Sequence, residues 1–177
     1  ELTIIDTAPM TCIDLAPTNI TIDLNLSDPC YNVNDSIVVS GGATLTINEG
    51  VRLVFAASTE LDVEEDGVLN ALGTETAPVI FSGAIAAPGY WDGIEIASIA
   101  LSTLDHTIVE YGGGTSFNTA NIGISFDGRL SVMNSIIRHS ASYGLSLSGN
   151  NARLAVFSGN TVTANEMPPI EIPADQV

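Results

Sequence analysis

The chain has 177 residues, with 21 acidic side chains against four arginines, two histidines and no lysine, and a formal net charge of −17. A surface this acidic repels phosphate backbones and anionic headgroups, which excludes nucleic acid and membrane surfaces as partners, and the missing lysine excludes Schiff-base chemistry. Only 14% of residues are charged and 45% are hydrophobic, so the composition suits one packed core and not a disordered acidic tail.

Taken in chain order, the first 35 residues carry both cysteines and none of the repeats found downstream. They are expected to form an N-terminal cap, followed by a single repeat domain over 36–177. Cys12 and Cys30 match no zinc spacing and have no histidine nearby in sequence. They can close a loop as a disulfide, which implies an oxidising compartment, or remain two buried thiols. Asn19, Asn25 and Asn34 head N-x-Ser/Thr triplets. The start, Glu1 to Asp6, lacks the basic-then-apolar layout of a signal peptide, and no run reaches the ~18 apolar residues of a spanning helix. A processed chain outside the cell, at its surface or in the periplasm is the expectation, with no membrane insertion. Charge is uneven: residues 1–88 hold 13 acids and one arginine, residues 89–177 eight acids and three arginines.

No sustained helical period is present. Short alternating runs at residues 21–26, 44–47, 52–55, 60–63, 79–81 and 93–96, bounded by Gly, Pro, Asn or Asp, read as strands. Asp62, Glu64, Glu65 and Asp66 concentrate four carboxylates in five residues. Hard oxygen ligands suit Ca²⁺, so this turn is the candidate metal site; no EF-hand or nonapeptide spacing is present, and a solvated turn is the competing reading. Next comes a Gly/Pro loop ending in Tyr90, Trp91 and Asp92. An exposed aromatic beside a carboxylate can stack on a sugar ring and accept its hydroxyl hydrogen bonds. With Tyr111 and Phe117, at and within the Gly-rich loop of the next repeat, these residues form a candidate glycan groove; the competing reading has Trp91 covering the edge of the core.

The second half repeats itself. Gly93-Ile94-Glu95-Ile96 recurs as Gly123-Ile124-Ser125-Phe126 and Gly144-Leu145-Ser146-Leu147; residues 104–111 match 132–139, and 129–132 match 153–156. Irregular repeats holding two or three very short strands predict an all-β parallel β-helix of about six rungs, in which aliphatic residues stack into interior columns ~4.8 Å apart. Val109, Ile137 and Val162 form one predicted column; Ile94, Ile124 and Leu145, with Ile96, Phe126 and Leu147 beside them, form two more. Pro168-Pro169-Ile170-Glu171-Ile172 reads as the start of another rung, so the C-terminal edge is expected to be open, as in a truncated coil or one that self-associates.

The run Ala87-Pro88-Gly89-Tyr90-Trp91-Asp92-Gly93-Ile94, the stretch Leu69-Asn70-Ala71-Leu72-Gly73-Thr74 with Pro78-Val79-Ile80-Phe81, and the Asn-Ser-Ile and Asn-Thr-Val turns resemble right-handed parallel β-helix repeat proteins of bacterial surfaces, the pectate-lyase-like superfold. The likeness spans roughly residues 36–172. It implies a right-handed coil, and it covers adhesin-like modules as well as polysaccharide-active enzymes. Hydrolases of this kind would show Asp-Asp, Gly-His-Gly and Arg-x-Lys elements, none of which occurs, and no catalytic residue is assigned. A lyase base would have to be Arg52, Arg129, Arg138 or Arg153. Glu110 and Arg138 fall on adjacent rungs and read more simply as an exposed ion pair; Arg129 and Arg153 stack as like charges that acidic neighbours are expected to offset. His106 aligns with Asn134 and His139 with Tyr111, in different columns, which does not suit a shared metal. The expected function is a non-catalytic structural or adhesive module with glycan as the ligand class. The alternative is part of a polysaccharide lyase or glycoside hydrolase whose active site is weak or lies elsewhere.

Overall fold

The computed structural model describes residues 11–114, 119–149 and 151–172. Its strands, none longer than six residues, fall into three sheets with every pairing parallel. Sheet A has seven strands: Ile13–Asp14, Cys30–Val33, Arg52–Phe55, Val79–Gly83, Thr107–Glu110, Ile136–Arg138 and Thr161–Thr163. Sheet B has seven: Asn19–Ile20, Ile37–Val39, Glu60–Val63, Gly93–Ile96, Ala120–Ile124, Tyr143–Leu147 and Ile170–Glu171. Sheet C has six: Leu24–Leu26, Thr44–Ile47, Val68–Leu72, Leu101–Asp105, Arg129–Met133 and Arg153–Ser158. The chain visits A, B and C in rotation, giving six complete turns and the first two strands of a seventh. This is a parallel β-helix, with no helix among the described residues.

Side chains alternate in and out along each strand, and adjacent turns lie in register, so an apolar residue inside one coil meets its counterpart on the next. Leu53, Phe81, Val109, Ile137 and Val162 make one continuous column in sheet A, which includes all three residues predicted for it. In sheet B, Leu61, Ile94, Ile122, Leu145 and Ile170 form one column, and Val63, Ile96, Ile124 and Leu147 the other. This corrects the sequence alignment by two residues: Ile122 and Ile124, not Ile124 and Phe126, sit beneath Ile94 and Ile96. A two-residue slip preserves which face each side chain occupies, so hydrophobic alternation alone cannot detect it. In sheet C a bulge at Leu130/Ser131 pairs Ser131 with Val156, so the last predicted match also breaks.

Stacking begins earlier than the repeat suggested. Residues 13–26, within the segment expected to form a cap, already supply one strand to each sheet. A Cys12–Cys30 disulfide, with Cα atoms 4.5 Å apart, ties that first coil to the second. At the other end Ile170–Glu171 does pair as the start of a further rung, and Leu154, Val162 and Ile170 pack half-buried against the core. Several polar groups inside the coil are bonded across turns. Thr107 N–H donates to Ser135 Oγ at 3.0 Å, and Ser135 N–H to Asn160 Oδ1 at 2.9 Å. Asn121, fully buried, accepts from Gly112 N–H at 2.7 Å and donates to Arg138 O at 2.8 Å, fastening the A-to-B corner.

Candidate functional site

The outer face of sheet B carries the strongest concentration of chemistry. Glu60 and Asp62 are two residues apart on one strand and therefore point to the same side; Glu95 lies opposite Asp62 on the next coil. Gly123 follows in that column, then Ser146, so the outward row has no side chain one coil beyond Glu95. Glu60, Asp62, Glu64, Glu95, Ser125 and Ser148 line a cleft of about 460 Å³ that Phe126 also borders. A second depression of about 420 Å³ continues past Phe126 toward Asp127 and Asn151.

Carboxylates held this close on a half-buried face resist ionising together. Asp62 is pushed up to about 7, first by burial and then by Glu60, Glu64 and Glu95. Burial also raises Glu95, against the lowering influence of the nearby Ser125 hydroxyl, and it raises Glu60, helped by the charge of Asp92. Glu60 and Asp62 are therefore both raised, and the pair resists carrying two charges at once.

Phe126 is 74% exposed and has φ of 50°. The left-handed conformation recurs at other non-glycine residues of the described chain, Tyr111 and His139 among them, so it belongs to the coil's turns, and what sets Phe126 apart is its exposed ring. Glu65, with φ of 51°, takes the same conformation in the equivalent turn two coils earlier. The two turns read Glu65-Asp66-Gly67 and Phe126-Asp127-Gly128. Aligning their Asp-Gly pairs is the sequence signal that would have put Phe126 on a turn instead of in a column.

The glycan residues expected from sequence are placed differently. Trp91 is fully buried, stacked on Phe55 with ring centroids 4.0 Å apart, and its indole N–H donates to Glu110 O at 2.9 Å. It covers the core under its own loop, so its ring offers no platform to a sugar. Asp92 is buried beside it, while Tyr90 and Tyr111 are half-buried and linked by a Tyr90 N–H to Tyr111 O bond of 3.0 Å. Tyr111 stacks on His139 at 5.3 Å, confirming that these two occupy one column. Phe117 lies outside the described residues.

The four carboxylates proposed for calcium do not come together as one set: Asp62 and Glu64 line the sheet B cleft, while Glu65 and Asp66 are exposed around the turn, where Glu65 Oε2 accepts from Gly41 N–H at 3.3 Å. No group of three or more metal-ligating side chains comes together among the described residues. The Glu110–Arg138 pair is present, with Nη2 and Nε 2.8 and 2.9 Å from Glu110 Oε2. It is less exposed than expected, since Glu110 is only 7% exposed and also meets Ser82 Oγ at 3.2 Å. Arg138 is thus engaged by its carboxylate. Arg129 and Arg153 stack in register as expected, but neither has the compensating ion pair among the described residues.

No helix among the described residues is long and apolar enough to cross a membrane. No curated protein and no solved structure matches the chain. The family model for a pectate-lyase-like β-helix domain matches residues 18–135, about two thirds of the chain, and covers the Glu60, Asp62, Glu95 and Phe126 face. The chain belongs to the pectate-lyase-like β-helix domain family.

Proposed function

We propose that this protein is a non-catalytic β-helix module, working outside the cytosol, that holds a glycan in the sheet B cleft. The single observation that carries the reading is Phe126. It is an exposed aromatic held in a left-handed conformation, bordering the same cleft as the carboxylates of Glu60, Asp62 and Glu95 and the hydroxyls of Ser125 and Ser148. The ring supplies an apolar face for a pyranose, and the carboxylates and serines accept from its hydroxyls. The same carboxylates select against uronate polymers, whose charge they repel, and favour neutral or amine-bearing sugars. The disulfide supports a location in an oxidising compartment.

A glycan array spanning neutral, aminated and uronate oligosaccharides tests this, run with the parent and Phe126→Ala. Loss of the stacking face is expected to weaken binding about tenfold, the equivalent of ~1.4 kcal/mol. Equal signals from both proteins, or strongest binding to uronates, would overturn the reading.

A second reading has one specific observation behind it: in the cleft it shares with Glu60, Glu64 and Glu95, Asp62 keeps its proton to about pH 7, as a general acid must. Release of reducing ends from a neutral glycan, abolished in Asp62→Asn, would establish hydrolysis. Absence of turnover by the parent would leave the binding role.

A further inference from the structure

Charge is sorted by face. The strands of sheet B carry Glu60, Asp62, Glu95 and Glu171 and no cation; those of sheet A balance Asp14 and Glu110 against Arg52 and Arg138; those of sheet C carry Arg129, Arg153 and a single acid, Asp105. In a chain with 21 acids and four arginines, mixing at random would surround each arginine with carboxylates. Instead Arg129 lies directly opposite Arg153 on the adjacent coil, both exposed, and neither forms an ion pair among the described residues. The acid of that sheet is already occupied: Asp105 Oδ1 lies 2.9 Å from His106 Nδ1 and accepts from Asn134 Nδ2 at 2.9 Å. Like charges directly opposite one another destabilise a sheet.

Sheet B repeats the arrangement with the opposite sign above about pH 7, where Asp62 ionises directly opposite Glu95. The arginine row is also flanked by apolar surface. Leu101, opposite Arg129 on the preceding coil, is 47% exposed; Leu72 and Val156 on the same sheet are 45% and 42% exposed.

We propose that the sheet C face of one copy docks on the sheet B face of a second copy of this chain, with Arg129 and Arg153 meeting Asp62 and Glu95. Both pairs sit one coil apart in a parallel sheet, so both have the same ~4.8 Å repeat, and two arginine–carboxylate pairs form together when the coil axes align. Each face then neutralises the like-charge row of the other. Leu72 and Leu101 gain cover at the same contact, with Phe126 at the border of the opposing cleft. Because each copy offers one face and receives on the other, the contact is heterologous and builds rings or fibres, not an isolated two-fold dimer. The inference is independent of glycan binding, with which it would compete for the sheet B cleft.

The test is sedimentation of the full chain across a concentration series at about pH 8, where Asp62 is ionised, and at about 0.15 M salt, where a Debye length of ~8 Å screens the net repulsion between copies but leaves contact pairs intact. The parent is expected to show a mass rising above the 18.4 kDa of one chain, and to return to it in about 1 M salt. Arg129→Glu with Arg153→Glu should remain at the single-chain mass, and so should Asp62→Lys with Glu95→Lys. An equimolar mixture of the two reversed proteins should associate again. Arg129→Lys with Arg153→Lys, which keeps the charge, should retain assembly, and circular dichroism checks that each variant keeps its β signal. A parent that stays at 18.4 kDa at every concentration overturns the proposal, as does an assembly unchanged by reversal. A single-chain protein that binds polyglutamate through the two arginines would assign the face to a foreign polyanion and overturn it equally.

Discussion

Replacing Asp62 by asparagine removes a charge from the sheet B face while keeping its shape, and the effect on stability should depend on pH in a defined direction. An aspartate has an ordinary value of 3.8, whereas Asp62 in the folded chain is raised to about 7. Between these two values the folded protein holds a proton that the unfolded chain releases, so the group's contribution to stability is fully present below pH ~4 and is lost as pH rises through about 7. The full difference corresponds to at most about 4 kcal/mol. The side chain is only half-buried, and solvent screening reduces this to ~1–2 kcal/mol. The amide of the Asp62→Asn variant cannot ionise, so the variant should match the parent near pH 4 and exceed it at pH 8 by about 2–8 °C in melting temperature, for a domain of this size. Thermal melts of both proteins at half-unit pH steps provide the assay, because taking the difference removes the titrations that Asp62 does not influence. Parallel curves, with a constant offset from pH 4 to pH 8, would refute the assignment of mutual carboxylate repulsion on this face.

Trp91→Ala should cost ~3–5 kcal/mol, because it empties a fully buried site stacked on Phe55 and orphans Glu110 O; chemical denaturation reads it, and Trp91→Phe should recover part of the loss. Phe126→Asn should move stability and binding in opposite directions: relief of the left-handed strain raises stability by ~0.5–1 kcal/mol, while glycan signal on the array falls. Reducing the Cys12–Cys30 disulfide, which spans 18 residues, should cost ~3 kcal/mol. In a solenoid whose coils contact only their neighbours, the increase in amide exchange should be confined to about the first two coils.

The coil architecture was legible because its cause is periodic and local. Alternation of apolar and polar residues marks which side chains face inward, and recurrence marks which coils stack, as the column Val109, Ile137 and Val162 shows. The cleft was harder to read. Phe126 was aligned into the core because a slip by two residues leaves every inward position inward. Trp91 allowed two readings, sugar platform or cover over the core, because a ring that follows a Gly/Pro loop can turn either way, and the presence of Phe55 one coil below decides for the core.

The amino-acid sequence by itself thus determined most of the strands, their parity and that the coils stack, since these follow from side-chain alternation and repeat, although the run read over 21–26 is strand only at Leu24–Leu26. Tertiary structure alone decided which outward residues meet. Asp62 and Glu95 are 33 positions apart, as are Leu69 N–H and its acceptor Ser102 Oγ, and turns of unequal length separate one coil from the next. The charge rows on sheets B and C therefore exist only once every turn has set its register: parity can be read from a strand, but register across coils is the sum of all the loops between them.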